Sequence, residues 1–307
     1  MAVYWGGKRY HSLDFFLKNT YGEKLYKIAL DGGMTCPNRD GTLGTRGCIF
    51  CSEGGSGDFA SDRKLTVTEQ IECGKLRTAG KYAGSSYIAY FQAYTNTYAP
   101  LPYLRRIFTE AARHPDVRII SIATRPDCLD KDVISMLEDI RRIKPVWVEL
   151  GQQTIHEETA AFIGRRYSLP VFEQAAAMLQ DAGIDVIVHT ILALPGEDLS
   201  MMLDTLHYLN GAGIQGLKLQ LLHVLRGTAL AAYYEAHPFW IPSMEEYFYL
   251  LGRCIGSISP DIVLHRLTGD GPKQLLIAPK WSGNKRLVLN QMQSYLKKHD
   301  IWQGKEL

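Results

Sequence analysis

Nothing in this 307-residue chain approaches the roughly 20 consecutive apolar residues that a membrane-crossing helix needs, so no membrane span is expected. Neither sign of charge dominates: 34 basic side chains face 32 acidic ones, for a formal net charge of +2. That balance is too mild to argue for nucleic acid on bulk charge, and it leaves room for a local basic patch. Disorder is excluded as well, because 46% hydrophobic and 21% charged residues are a composition that packs a core. The start of the chain carries Tyr4, Trp5, Lys8 and Arg9 without an apolar run, which is not a secretory signal, and the expected location is the cytoplasm. There is no low-complexity segment and no internal repeat. Cysteine is sparse too: six thiols in a chain of this length are not a disulfide framework.

What cysteine there is falls unevenly. Cys36, Cys48 and Cys51 share one loop, whereas Cys73, Cys128 and Cys254 are scattered, a pattern of one site and three bystanders. The segment from Asp31 to Cys51 reads DGGMTCPNRDGTLGTRGCIFC, so the thiols stand as C-x11-C-x2-C. Gly32, Gly33, Gly41, Gly44 and Gly47 suit a backbone that turns tightly around a bulky inorganic group. Soft thiolates select zinc or iron–sulfur centres over hard cations. A structural zinc site takes four ligands, and here three thiols cluster with no histidine following at finger-like spacing. Two readings stand: a four-iron four-sulfur cluster with one iron free of protein ligand, or zinc completed by a distant residue.

Around this loop, short apolar strands alternate with longer helical stretches. Strands are expected at 25–30, 87–91, 117–123, 146–150, 185–192 and 216–222. Helices are expected from about Thr68 and over 101–114, 131–143, 155–163, 170–182 and 199–209. Connections of that length favour parallel strands covered by helices. Six units are too few to close an eight-unit barrel, so an open, TIM-like partial (β/α)6 barrel of the α/β class is expected over 25–228. Residues 1–24 read as an N-terminal extension. Residues 229–307 read as an α+β capping segment, with helices at 247–258 and 284–298 and a strand at 262–267.

The segments KIALDGGMTCPNRDG, FQAYTNTYAP, ATRPDCL, VELGQQT, HTILALPGE, QLLHVLRGT and HRLTGD, spread over positions 27 to 270, resemble a short bacterial family related to the catalytic subunit of Elongator. The chain is identified on them as a radical S-adenosylmethionine (SAM) enzyme with a long-loop cysteine spacing in place of C-x3-C-x2-C. The resemblance implies a 4Fe-4S cluster on Cys36, Cys48 and Cys51 and SAM on the vacant iron. It also implies an electron donor such as flavodoxin or ferredoxin, and a 5′-deoxyadenosyl radical that takes a hydrogen atom from substrate. Elongator modifies the wobble uridine of tRNA, so tRNA is the implied partner. A chain ending at Leu307 is too short to include the acetyltransferase domain, so carboxymethylation is not expected, and the implied reaction becomes conversion of a carboxymethylaminomethyl to an aminomethyl group at uridine 34. A radical SAM enzyme of a small metabolite, or a non-catalytic zinc or iron–sulfur module, are the alternatives.

The same resemblance distributes roles over the strand ends. Gln92 and Asn96 replace a Gly-Gly-Glu-like turn that holds the SAM amino group, with an ordinary polar turn as the competing reading. Arg125 pairs a carboxylate through two parallel hydrogen bonds. Glu149 meets SAM's ribose or amino group with Gln153 shaping the pocket, and a carboxylate inside a barrel requires a partner of its own. Arg165, preferred over Arg166, faces SAM's carboxylate, and the Pro195–Gly196 turn lines the adenine side. His189, Lys218, His223, His265 and Arg266 are the substrate candidates, His189 being equally readable as a satisfied core residue. Period-two alternation sets Lys218 and Gln220 on one face and His223 on the other unless the strand ends before His223.

Overall fold

In the computed structural model, residues 4–307 are described apart from 56, 58, 59, 81, 83 and 270. Helix α1 (Leu13–Tyr21) precedes strand β1 (Tyr26–Leu30), and the cysteine loop then leads to α2 (Val67–Thr78). Next come β2 (Tyr87–Phe91), α3 (Leu101–Arg113), β3 (Val117–Thr124), α4 (Lys131–Arg141) and β4 (Val146–Gln153). Helices α5 (Glu157–Phe162) and α6 (Leu169–Asp181), strand β5 (Asp185–Leu192), helix α7 (Leu199–Asn210) and strand β6 (Gly216–Leu221) continue the alternation. The remainder holds β7 (Val224–Leu225), α8 (Ala229–Ala236), α9 (Met244–Gly256), β8 (Val263–Arg266), β9 (Leu276–Ala278) and α10 (Lys285–Lys298).

The main sheet has the order β1-β2-β3-β4-β5-β6-β8, and every neighbouring pair in it is parallel. It is curled: the Lys218 ammonium on β6 hydrogen-bonds the Tyr90 hydroxyl on β2 at 3.1 Å, which strands four places apart reach only across a barrel interior. The α/β partial barrel expected from the sequence is therefore present, with one change of count. The strand expected in the capping segment pairs with β6 and continues the barrel as a seventh parallel strand. Unforeseen were α1, α8 and the small antiparallel pair β7–β9. No helix among the described residues is long and apolar enough to cross a membrane.

Period two divides the strand residues into two apolar sets. Ile28, Leu30, Ala89, Phe91, Ile120, Ile122, Val148, Leu150, Val186 and Val188 point outward and pack under the helices. Burial of such a side chain contributes about 1.5–3 kcal/mol. The fit is close at α2, where a Cβ on Gly74 would come within 2.3 Å of Ile28 Cγ2. Their alternates face inward: Leu25, Ile88, Ile119, Trp147 and Ile187, near the strand starts, pack with Leu17 of α1. Helix α1 is thus a stopper at the N-terminal end of the barrel. Ser12 caps it by accepting from Phe15 N, and Gly22 (φ 74) ends it in the left-handed conformation.

The stopper is held by the far end of the sequence. Ser12 bridges Leu264 beside β8. The Gln303 side chain accepts from His11 N at 2.8 Å and donates to the carbonyls of Ser259 and Ile262 at 2.6 and 2.8 Å. Gln303 N donates to Arg9 O at 2.9 Å, and Arg9 pairs with Asp300 at 2.8 Å.

Candidate active site

Counting two residues onward from the inward apolar layer gives the next layer up the barrel: Lys27, Tyr90, Ser121, Glu149 and His189, with Lys218 two beyond Gly216. This layer is polar and closed on itself. Glu149 Oε1 accepts from Lys27 Nζ at 2.8 Å and Ser121 Oγ at 2.7 Å, and Oε2 accepts from His189 Nε2 at 2.7 Å and from Lys218 Nζ. Lys27 and Lys218 each stand 4.6 Å from the centroid of the Tyr90 ring. Burial alone would raise the Glu149 pKa, but Lys218 and Lys27 outweigh it and hold the carboxyl well below its ordinary range. Burial and the Lys218 charge push His189 down to about 4, so its imidazole is neutral at pH 7. The partner that a barrel-interior carboxylate requires is therefore present four times over, and Glu149, with both oxygens taken, is the keystone of a floor.

Above this floor the layer is small or amidic: Gln92, Ala123, Gly151 and Gln220 line a cleft of about 190 Å³ with Cys36, Cys48 and Cys51 on its other wall. The sequence-predicted cysteine triad and strand ends thus meet in one place. The loop carrying the thiols is fixed by its neighbours. The Asn38 amide donates to Gly164 O at 2.9 Å and lies 3.5 Å from Cys48 Sγ, while Arg39 donates to the carbonyls of Cys51 and Ser52. Arg39 also lies over the Tyr94 ring at 5.6 Å, and Tyr94 (φ 58) donates from its hydroxyl to Glu53 O at 2.6 Å. Burial, with Cys51 adding to it, pushes the Cys48 thiol up to about 12. A thiol so placed is deprotonated by the metal it binds. Cys73, Cys128 and Cys254 are absent from the cleft wall. Three thiols facing a cavity whose remaining acid and imidazole are bonded to each other suit a cluster with one open position better than a closed four-ligand site.

Several expected contacts have other partners. The two parallel hydrogen bonds expected of Arg125 exist, but to the protein's own Asp127, at 2.9 and 2.7 Å, with Nη1 on Arg165 O. Arg165, buried, donates to the carbonyls of Tyr167, Gln152 and Thr154 and to Glu157 Oε1. Both guanidinium groups flank Tyr167, at 4.9 and 5.0 Å, and both sit in the cleft wall as parts of its masonry. Arg166 (φ 63) instead lays its guanidinium against Gly44 of the cysteine loop. Asn96 is fully buried and clamps β2 to β3 through Phe91 O and Ala123 O, so it does not reach the cleft. Pro195 and Gly196 form the turn into α7 and line neither central cavity. Lys218 lies in the floor and not on it, and His265 packs edge-on against Trp147 at 5.2 Å, beneath the floor. Asp270 lies outside the described residues.

A second cavity, also about 190 Å³, adjoins the first and shares Gln92, Gln153, His189, Gln220 and Arg266 with it. Its far wall is Phe50, Leu222, His223, Leu225, Gly269, Gly271 and Pro272. Strand β6 ends at Leu221, which lets Gln220 and His223 face the same space. The His223 ring is seated between two glycines: a Cβ on Gly269 or Gly271 would stand 2.5 or 2.7 Å from it. Gln153, at φ 61 after the β4 irregularity, turns its amide into both cavities. Such strain is typical of functional loops. Lys27, Tyr90, Ser121, Tyr167 and Phe50 escaped the sequence reading. For Tyr90, stepping back two residues from Gln92 along the strand would have found it.

The chain matches the Radical SAM superfamily model over residues 41–209, more than half its length, and the Radical_SAM C-terminal domain over 214–298. It is 43% identical to the protein YtqA of Bacillus subtilis, over 97% of this chain and 92% of that protein. It is 32% identical to the protein YhcC of Escherichia coli K12, over 95% and 93%. Two partial likenesses are Elongator complex protein 3 of Schizosaccharomyces pombe, 28% over 56% of this chain and 32% of that one, and the tRNA uridine(34) acetyltransferase of Methanocaldococcus jannaschii, 36% over 30% and 16%. Among solved structures, Methanocaldococcus infernus Elp3 superposes with a TM-score of 0.66 at 17% identity, covering 91% of this chain and 64% of that one, a likeness of fold. With a curled parallel sheet and a three-thiol cleft at its C-terminal mouth, this chain belongs to the radical SAM superfamily and is an enzyme of the short type related to Elongator's catalytic subunit.

Proposed function

We propose that this enzyme holds a 4Fe-4S cluster on Cys36, Cys48 and Cys51 and acts on the side chain of the wobble uridine of tRNA, converting carboxymethylaminomethyl to aminomethyl. The observation that carries the reading is the shared wall of the two cavities, which puts one set of amides between a cofactor space and a substrate space. When bound and reduced, the cluster supplies reductive cleavage of SAM to methionine and a 5′-deoxyadenosyl radical. The chain's own residues do the rest. Gln92, Gln153 and Gln220 each offer a donor and an acceptor, the combination that nucleobase edges and ribose hydroxyls ask for. Phe50 gives the second cavity an aromatic face for a base. Arg266 and His223 supply the cationic and hydrogen-bonding side for a carboxylate on the uridine substituent. The Glu149–His189–Lys218 floor fixes the His189 tautomer, with Nε2–H on Glu149, and leaves the ring at the junction of the two spaces. The partial likeness to a tRNA uridine(34) acetyltransferase supports a tRNA substrate. A small polar metabolite is the second reading, favoured by the modest size of the substrate cavity.

Anaerobic reconstitution with iron and sulfide, then dithionite and SAM, tests the chemistry. 5′-Deoxyadenosine should form, and Cys36→Ala, Cys48→Ala or Cys51→Ala should abolish it while Cys73→Ala does not. Nucleoside mass spectrometry of tRNA carrying carboxymethylaminomethyluridine then tests the substrate. Loss of that nucleoside with gain of the aminomethyl form is expected, and unchanged tRNA beside active SAM cleavage overturns the tRNA assignment.

A further inference from the structure

Two consecutive side chains of the cysteine loop reach its other two thiols. After Cys36 the chain turns back on itself: Arg39 N and Asp40 N donate to Cys36 O at 2.7 and 3.2 Å, and Gly47 N donates to Asn38 O at 2.8 Å. That turn delivers Asn38 to Cys48 and Arg39 to the Cys51 backbone. Asn38 is buried, and Gly164 O, 2.9 Å from Nδ2, decides which way its amide points, because the reverse setting would face two carbonyl oxygens. Nδ2 also donates to Cys48 Sγ at 3.5 Å. Its Oδ1 is buried and accepts from no group among the described residues. An acceptor buried without a partner costs stability, so the fold holds this amide at a loss, and the contact with sulfur is what it gains. As a thiol, Cys48 donates to Gly164 O at 3.5 Å; as a metal-bound thiolate it can only accept, and Asn38 is the donor beside it. Arg39 Nη2 donates to the carbonyls of Cys51 and Ser52 at 3.1 and 2.6 Å. Its Nε lies so close to Gly47 (φ 75) that a Cβ there would stand 2.8 Å away, and its guanidinium is 5.6 Å from the Tyr94 ring centroid. These partners orient the group without cancelling its charge, and it lines the same cleft wall as the three thiols.

We propose that Asn38 and Arg39 are positioning residues that raise the reduction potential of the cluster, acting through its cysteine ligands, and so bring it within reach of an external electron donor. The inference rests on the cluster reading above and adds to it which residues make the cluster reducible. Three thiolate ligands make such a cluster negative, and an added electron makes it more so. A fixed cation at the ligand turn and an amide N–H aimed at a ligand sulfur both favour the more negative state, which raises the potential. Both levers follow Cys36 within three residues, so one short turn supplies a ligand, a hydrogen bond and a charge.

The test uses the full-length, anaerobically reconstituted protein without SAM. It reads the midpoint potential of the one-electron couple by a dye-mediated titration followed by electron paramagnetic resonance. Arg39→Gln removes the charge, Arg39→Lys keeps it, and Asn38→Leu removes the amide at similar size. Arg113→Gln, in the last turn of α3, is the control for a surface charge lost elsewhere. Circular dichroism with iron and sulfide content confirms that each protein is folded and loaded. Arg39→Gln should lower the equilibrium constant for reduction roughly tenfold, which for one electron is about 59 mV. Asn38→Leu should shift the potential the same way by less, Arg39→Lys should recover most of the loss, and the control should titrate with the parent. If the loaded variants titrate with the parent, or the control shifts as far, the pair only braces the loop and the proposal is overturned. If Arg39→Gln and Asn38→Leu take up no iron while Arg39→Lys does, the pair holds the cluster without tuning it, and the proposal is overturned as well. If the parent itself gives no reducible iron–sulfur signal, the cluster reading fails first.

Discussion

At the scale of single residues, the floor under the cleft shows how one carboxylate orders a barrel interior. Glu149 is enclosed by two ammonium groups, an imidazole and a hydroxyl, so no polar atom of it is left over for a ligand. The linked titration has a definite sign. His189 is held at about 4 against an ordinary 6.5, so between those values the unfolded chain binds a proton that the native one refuses. Stability is then complete above pH 6.5 and is lost as pH falls toward 4. Urea unfolding of the parent and of His189→Gln at several pH values in that window checks it: the parent midpoint should drop on acidification and the variant's should drop less. Equal slopes would show that His189 does not titrate this way. The grouping of Cys36, Cys48 and Cys51 was legible from their spacing, and the fold brings all three to one cleft wall. Lys27 was not, since a lysine on a short edge strand reads as solvated until the curl of the sheet brings Glu149 to it. Arg125 and Arg165 were seen as cationic strand-end residues, but their partners lie in loops whose course the sequence does not state.

Among elements, packing is close where α2 crosses β1. Gly74→Ala pushes a methyl into Ile28, which overpacking penalises by about 1–3 kcal/mol. The double variant Gly74→Ala/Ile28→Ala removes the atom it strikes, so its loss in chemical denaturation should be smaller than the sum of the two singles, whereas additivity would mean that the helix simply shifts away. Strands β2 and β5 fell where the sequence placed them to the residue, because turn-forming or charged residues bound their apolar runs sharply. The pair β7–β9 was invisible for the opposite reason. Two residues carry no periodicity, and their partner strand lies some fifty positions away, so only the closed fold brings them together. Helix α1 hid in what read as an extension, its apolar face too short to announce a stopper.

For the molecule as a whole, the two ends of the sequence share one joint. Gln303 serves His11, Ser259 and Ile262 at once, and Gln303→Ala strands three backbone groups at a cost of about 3 kcal/mol. Amide hydrogen exchange should show α1 losing protection first and furthest in that variant, and uniform protection would mean that the joint is dispensable. The number of barrel strands was misjudged for a related reason: β8 lies beyond two helices that broke the alternation, so its place in the sheet depends on contacts between distant parts of the chain. That joint also imposes an order of manufacture. Residues 13–21 leave the ribosome well before the surfaces around Leu264 and Gln303 that hold the segment leading into them. Until those arrive the stopper has its apolar contacts and no fastening, so a transcript cut short of residue 264 would deliver a barrel whose N-terminal end is only loosely plugged.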